Sequence, residues 1–337
     1  MTRRAFITGV AGLTLSADEQ AFIRAAQPWG FILFKRNVET PAQVAALVQE
    51  LRNVAGFPDA PVLIDQEGGR VQRLGPPHWP VYPPGEAFSR LYDIDSAFGL
   101  QAARLSARLI ADDLLQLGIT VDCLPLADVP VPGANAVIGN RAYGTDPAKV
   151  AAIARAVTEG LEWGGVLAVL KHIPGHGRAT ADTHFQLPTV DTPESELETT
   201  DFAAFRPLAD LPMAMTAHVV FSAIDAAHPA TTSATMISRV IRGEIGFQGL
   251  LMSDDVSMNA LAGSIADRTR AIIAAGCDIV LHCNGNMEEM RQVAAGLSPL
   301  SPMAKARYER GQARLQAAQA TDLDLAAAQT ELERLLG

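Results

Sequence analysis

Fourteen residues of this chain bring together a dense group of reactive side chains. Lys171-His172-Ile173-Pro174-Gly175-His176-Gly177, followed by Asp182-Thr183-His184, supplies three imidazoles, an ammonium and a carboxylate. Asp182 and His184 are two apart, so an extended backbone places both on one face. A carboxylate beside an imidazole fixes its tautomer and raises its pKa, which suits such a pair to general acid and base work near neutral pH; a surface Asp–His hydrogen bond is the other reading of the spacing. His172 and His176 are four apart, the spacing of a zinc-binding helix. Pro174, Gly175 and Gly177 deny them that helix, and no Glu follows His172. No metal and no cofactor are therefore expected.

These residues need a scaffold. The segment follows an apolar run over 165–170, which reads as a buried strand opening into a polar loop. Further strand-like runs fall at 5–10, 30–34, 60–65, 119–124, 167–171, 213–218, 250–254 and 278–282, eight in all. Between them lie helical patterns with readable starts. Ser16-Ala17-Asp18-Glu19 is a capping box, and Thr40-Pro41-Ala42-Gln43 another, with proline at the first helical position. Helices are expected over 96–117, from Asp146-Pro147 to Trp163, over 201–209, 234–245 and 264–275, and from Pro302 onward.

Eight strand–helix units predict an α/β fold: a single (β/α)8 TIM-type barrel over about 1–300, with C-terminal helices over 301–337 in the same domain. A doubly wound sheet is the rival, but Val10-Ala11-Gly12-Leu13 after the first strand lacks its phosphate-binding glycine pattern.

In such a barrel, catalytic side chains come from the carboxyl ends of strands and the loops after them. The polar residues fall there. Strand three ends in Asp65-Gln66-Glu67-Gly68-Gly69-Arg70, with Arg73 behind; strand five ends in Lys171-His172, strand six in Thr216-Ala217-His218, and strand seven in Ser253-Asp254-Asp255. The long loop after strand four carries Asp128 and Gly139-Asn140-Arg141-Ala142-Tyr143-Gly144. Of the adjacent Asp254 and Asp255, alternation sends only one into the crater, and the sequence does not choose. The two glycines after Glu67 are expected to permit a tight turn and a close backbone approach to a ligand.

The 337 residues are 48% hydrophobic and carry a formal net charge of −10, which argues against nucleic-acid or anionic-membrane partners. No apolar run reaches a membrane span. Cys123, Cys277 and Cys283 read as reduced core thiols of a cytoplasmic protein. Arg3-Arg4 and the apolar stretch after them look like a twin-arginine export signal, but residues 6–10 are needed as the first strand.

With these residues in place, the chain resembles family 3 glycoside hydrolases of the bacterial cytoplasmic β-N-acetylhexosaminidase branch, enzymes of peptidoglycan recycling. The resemblance runs from Phe31-Ile32-Leu33-Phe34-Lys35-Arg36-Asn37 through Leu63–Arg70 and Lys171–His184 to Met252-Ser253-Asp254-Asp255-Val256-Ser257-Met258. It implies that Asp254 is the catalytic nucleophile and His184 the general acid/base, partnered by Asp182. Asp65, Arg73, Arg141, Lys171 and His172 match positions that hold the N-acetylglucosamine unit, and His176 is assigned to shaping the loop.

Departures from the pattern are Ile173 in place of an aromatic, Thr183 in place of serine, and Ala142-Tyr143 in place of Ser-Phe. The implied activity is exo-acting, retaining β-N-acetylglucosaminidase action on GlcNAc-anhydroMurNAc-type muropeptide fragments, by a monomer or weak dimer. Other readings are a β-glucosidase-like relative, a phosphorylase using phosphate in place of water, a non-catalytic sugar-binding protein, and a metallohydrolase.

Overall fold

The computed structural model describes residues 3–180, 186–318 and 323–337. Its centre is a closed barrel of eight strands: β1 (Arg4–Thr8), β2 (Pro28–Leu33), β3 (Val62–Ile64), β4 (Val121–Asp122), β5 (Leu167–Ile173), β6 (Met213–Thr216), β7 (Leu250–Asp255) and β8 (Ile279–His282). Every neighbouring pair is parallel, and β1 closes the ring by pairing Phe6 with Val280 and Thr8 with His282. Helices such as Ala17–Ala26, Pro41–Ala55 and Pro147–Trp163 connect the strands. The expected eight-stranded TIM-type barrel is the observed fold.

The strands read as continuous apolar runs because both faces are buried. Alternation splits them between two cores. Ile7, Ile32, Leu63, Val169, Met213 and Met252 fill the barrel interior, whereas Phe6, Phe31, Ile64, Leu170, Ala214 and Leu251 pack outward under the helices. The helix Pro302–Ala318 crosses the amino-terminal end of the barrel, where Ala304 and Leu315 join the interior cluster. There Tyr308 stacks edge-on against Trp29 at 4.9 Å between ring centroids.

The expected capping box forms at the first helix, and at the second only its Thr40 half does, because the Gln43 side-chain oxygen accepts from the Glu39 N–H at 2.9 Å instead. Ser16 and Glu19 form a reciprocal capping box, and Thr40 accepts the Gln43 N–H with Pro41 at the first turn. Arg4 begins β1 and donates to the Ala294 carbonyl at 2.8 Å, so the apolar stretch after Arg3-Arg4 is a barrel strand in this fold.

Four features differ. The strand expected over 119–124 is regular only at Val121–Asp122; Pro125 has no N–H, and pairing to β5 continues irregularly through Lys171 N to the Pro125 carbonyl (2.9 Å) and Ala127 N to the Lys171 carbonyl (2.7 Å). The segment Met236–Glu244 is a wide-turned π-type helix. A hairpin of Gln66–Gly68 with Val71–Gln72 and a helix at Gly85–Ile94 lie in a proline-rich stretch whose periodicity shows neither. No helix among the described residues is long and apolar enough to cross a membrane.

Candidate active site

The strand alternation that fills the barrel also delivers the site. Asp65 follows Leu63 by two residues, Lys171 follows Val169, and Asp254 follows Met252; each extends an inward-facing row past its apolar layers. They line a cavity of about 370 Å³ at the carboxyl end of the barrel, together with Glu67, Arg73, Arg141, His172 and His176. Asp182 and His184 lie outside the described residues.

Two strands break register where their chemistry begins. On β5 the pairing with β6 shifts between Lys171 and Ile173, and on β7 the pairing with β8 shifts between Met252 and Asp255. Such a bulge re-aims a side chain at a strand end. At the second one Ser253 Oγ accepts the Leu281 N–H at 3.0 Å, filling the gap in the ladder. Both aspartates line the cavity, against the expectation that only one enters it, and their hydrogen bonds distinguish them. Asp255 is tied by its carboxylate to Ser257 N (3.0 Å), Ser257 Oγ (2.6 Å) and Cys283 N (3.1 Å), and so braces two loops. Asp254 accepts from the Asp255 N–H at 2.8 Å with one oxygen and borders the cavity, 8% exposed. Burial would push its carboxyl up, but His218, His172 and that N–H outweigh it and lower its pKa.

The opposite wall is a buried ion network. Lys171, 2% exposed, donates to Asp65 Oδ1 at 3.0 Å and pairs with Glu67 Oε1 at 2.6 Å. Arg141 grips Glu67 through two parallel hydrogen bonds, each 2.8 Å. Arg73 reaches Asp65 Oδ2 at 2.8 Å, its guanidinium lying over the Phe34 ring. Burial opposes ionisation of Asp65 and Glu67, yet Lys171 with Arg73 or Arg141 holds both carboxyls below the ordinary range. Burial alone would lower the Lys171 ammonium; Asp65 and Glu67 raise it instead. Beneath them burial pushes the Asp122 carboxyl well up.

Two acids in this arrangement carry more than their sequence context suggests. Glu67 holds Lys171 and Arg141 together, and Asp128, fully buried, organises the histidine loop. Asp128 Oδ2 contacts His172 Nδ1 at 2.8 Å, while its Oδ1 accepts the backbone N–H groups of His172 (3.3 Å) and His176 (2.7 Å). Burial works against the Asp128 charge, but the two histidines bring its pKa down to about 2. Burial and the His172 ring bring His176 down to about 4.

His218, expected in the crater, is instead fully buried behind it. Its Nε2 donates to the Asp255 carbonyl at 3.0 Å and its Nδ1 meets Thr231 Oγ1 at 2.7 Å. Gly68 and Gly69 sit at φ +91° and +56°, and a Cβ there would meet the Pro83 carbonyl and Pro84 Cβ at 2.3 and 2.7 Å. The close approach they permit is to residues 83–84, and no ligand is needed to explain it.

Arg70 donates to the Ala136 carbonyl at 2.7 Å and to the Val137 carbonyl, pinning the loop that bears Arg141. Among the described residues, the carboxylates close enough to share a metal ion are those of Glu194, Glu198 and Glu244. None of the three lines the cavity, and Arg239 pairs with Glu194 and Glu244.

Comparison with known proteins agrees with this geometry. The glycosyl hydrolase family 3 N-terminal domain matches residues 7–318. The β-hexosaminidase of Alkalilimnicola ehrlichii is 39% identical over 280 residues, 82% of this chain and 79% of that protein, and that of Bordetella avium is 37% identical over 279 residues. The crystal structure of NagZ from Neisseria gonorrhoeae in complex with N-trifluoroacetyl-D-glucosamine superimposes with a TM-score of 0.87 at 32% identity, covering 100% of this chain and 99% of that one. The chain belongs to glycosyl hydrolase family 3, in its bacterial β-N-acetylhexosaminidase branch, and is a glycoside hydrolase of that type.

Proposed function

We propose that this chain is an exo-acting, retaining β-N-acetylglucosaminidase that removes terminal β-linked N-acetylglucosamine from muropeptide-derived sugars during cell-wall recycling in the cytoplasm. The observation that carries the reading is Asp254: an ionised carboxylate bordering the cavity, across from a preassembled polar wall. In this reading Asp254 attacks the anomeric carbon as the aglycone oxygen takes a proton from His184, which Asp182 orients. Neutral His184 then draws a proton from water, which opens the glycosyl-enzyme with net retention.

Asp65, Arg73, Arg141, Lys171 and His172 hold the sugar by its hydroxyls and acetamido group, and His176 lends its backbone to the loop. The assignments of His184 and Asp182 rest on the sequence pattern. We further read residues 1–337 as one catalytic unit acting as a monomer or weak dimer. The relatives' names and the N-trifluoroacetyl-D-glucosamine bound to the neisserial protein support the N-acetyl sugar.

Phosphorolysis is the less favoured route. Lys171, Arg73 and Arg141 each already face a carboxylate, so an incoming phosphate would have to displace Asp65 or Glu67.

The test is hydrolysis of 4-nitrophenyl N-acetyl-β-glucosaminide beside the matching β-glucoside, with and without phosphate. Selective cleavage of the N-acetyl substrate with retained anomeric configuration, abolished in Asp254→Asn and recovered by azide in His184→Ala, is expected. Inversion, or turnover of neither sugar, refutes the reading.

A further inference from the structure

Asp128 does not line the cavity, yet it determines how one of the cavity's imidazoles is presented. Its three contacts divide by chemistry. Oδ1 receives two backbone N–H groups, those of His172 and His176, and Oδ2 faces His172 Nδ1 at 2.8 Å. Asp128 is wholly inaccessible, and its ionised carboxylate only accepts hydrogen bonds. The ring nitrogen facing it must therefore carry hydrogen. In a neutral imidazole that leaves Nε2 as a bare lone pair, and the ring borders the cavity.

Elsewhere on that wall the cationic groups, Lys171, Arg73 and Arg141, are donors only. The acceptors beside them, Asp65 and Glu67, are each already held by two cationic side chains, whereas a sugar hydroxyl is both donor and acceptor and its hydrogen needs an acceptor to receive it.

We propose that Asp128 is a positioning residue that locks His172 in the Nδ1–H tautomer, making Nε2 the acceptor that reads the hydrogen of one sugar hydroxyl. The proposal rests on the sugar-binding reading of the crater given above. It adds a residue that touches no substrate and fixes the polarity of a contact.

Asparagine at position 128 isolates the effect. The two backbone N–H groups keep an oxygen at Oδ1, so the amide nitrogen takes the place of Oδ2 and donates to His172 Nδ1. The tautomer then reverses, and Nε2 gains the hydrogen that should not be there.

Two measurements on the full chain test this. The first is nitrogen-15 NMR of the histidine side chains at pH 8, with His172 assigned by His172→Gln. Wild type is expected to show hydrogen on His172 Nδ1 and a bare Nε2, and Asp128→Asn the reverse. A bare Nδ1 or a protonated Nε2 in wild type overturns the proposal, even if Asp128→Asn fails to fold.

The second compares 4-nitrophenyl N-acetyl-β-glucosaminide with its 3-, 4- and 6-deoxy analogues. Wild type should lose on the order of 10- to 100-fold in kcat/KM on one analogue, mainly through KM. Asp128→Asn should lose a similar factor on the parent sugar and little more on that analogue. Independent, multiplying losses would leave Asp128 a merely structural role and overturn the proposal. If wild type cleaves none of the sugars, the sugar-binding reading has failed, and the NMR result still decides the tautomer.

Discussion

The two sides of the cavity use carboxylates in opposite ways. On the side built from β3, β5 and the loop bearing Arg141, Asp65 and Glu67 are each bound by two cationic side chains at 2.6–3.0 Å. On the β7 side, Asp254 holds a backbone N–H at 2.8 Å and borders the cavity, while its neighbour Asp255 takes up the bracing work. Charge saturation makes a rigid surface whose groups cannot easily move or react. Sparse coordination leaves a carboxylate free to form a bond. In the proposed function the contrast separates recognition from chemistry on one barrel rim.

The contrast is broken most severely at Asp254. Asp254→Asn should cut kcat by roughly 10⁴-fold while leaving KM and the thermal midpoint near wild type, as steady-state kinetics and melting curves will report. A comparable loss from a variant of the saturated wall would erase the proposed division.

Glu67→Gln is the matching change on that wall. It leaves Lys171 and Arg141 short of one negative charge in a buried site. The expected result is a loss of about 10- to 100-fold in kcat/KM expressed chiefly in KM, with about 3 kcal/mol lost from denaturant unfolding. Next in size comes Asp255→Ala, which frees Ser257 and Cys283 and loosens the peptide that presents Asp254. Here kcat should fall by about tenfold with KM held, which kinetics on the same substrate will check.

The smallest effect concerns pH. His176 titrates near 4 in the fold against about 6.5 in the unfolded chain, so the unfolded state takes up its proton first as pH falls. Stability present above pH 6.5 is therefore lost between pH 6.5 and 4, by up to about 3 kcal/mol. His176→Asn should flatten that part of the profile, as urea midpoints across the range will record.

The division was only half legible in the sequence. The eight strands stand out because parallel barrel strands are buried on both faces and leave unbroken apolar runs. Asp65, Lys171 and Asp254 were visible as the polar ends of those runs. Partnership was not visible. Glu67 meets Lys171 and Arg141 across 104 and 74 residues of chain, and Asp128 meets His172 across 44, distances closed only by barrel register. Nor could the sequence choose between Asp254 and Asp255: both line the cavity, and only the hydrogen bonds that hold Asp255 tell them apart. His218 misled for the same reason: a strand-end imidazole looks catalytic until Thr231 folds over it.

The helix Pro302–Ala318, with Tyr308 seated on Trp29, has a bearing on traffic. It covers the amino-terminal end of a barrel whose interior is already filled by side chains, so the crater has a closed floor. A sugar chain cannot thread through a filled barrel, and in the proposed function it is a chain end that is lowered onto that floor. In the proposed reaction the departing aglycone must clear before the water that follows it can reach the glycosyl-enzyme.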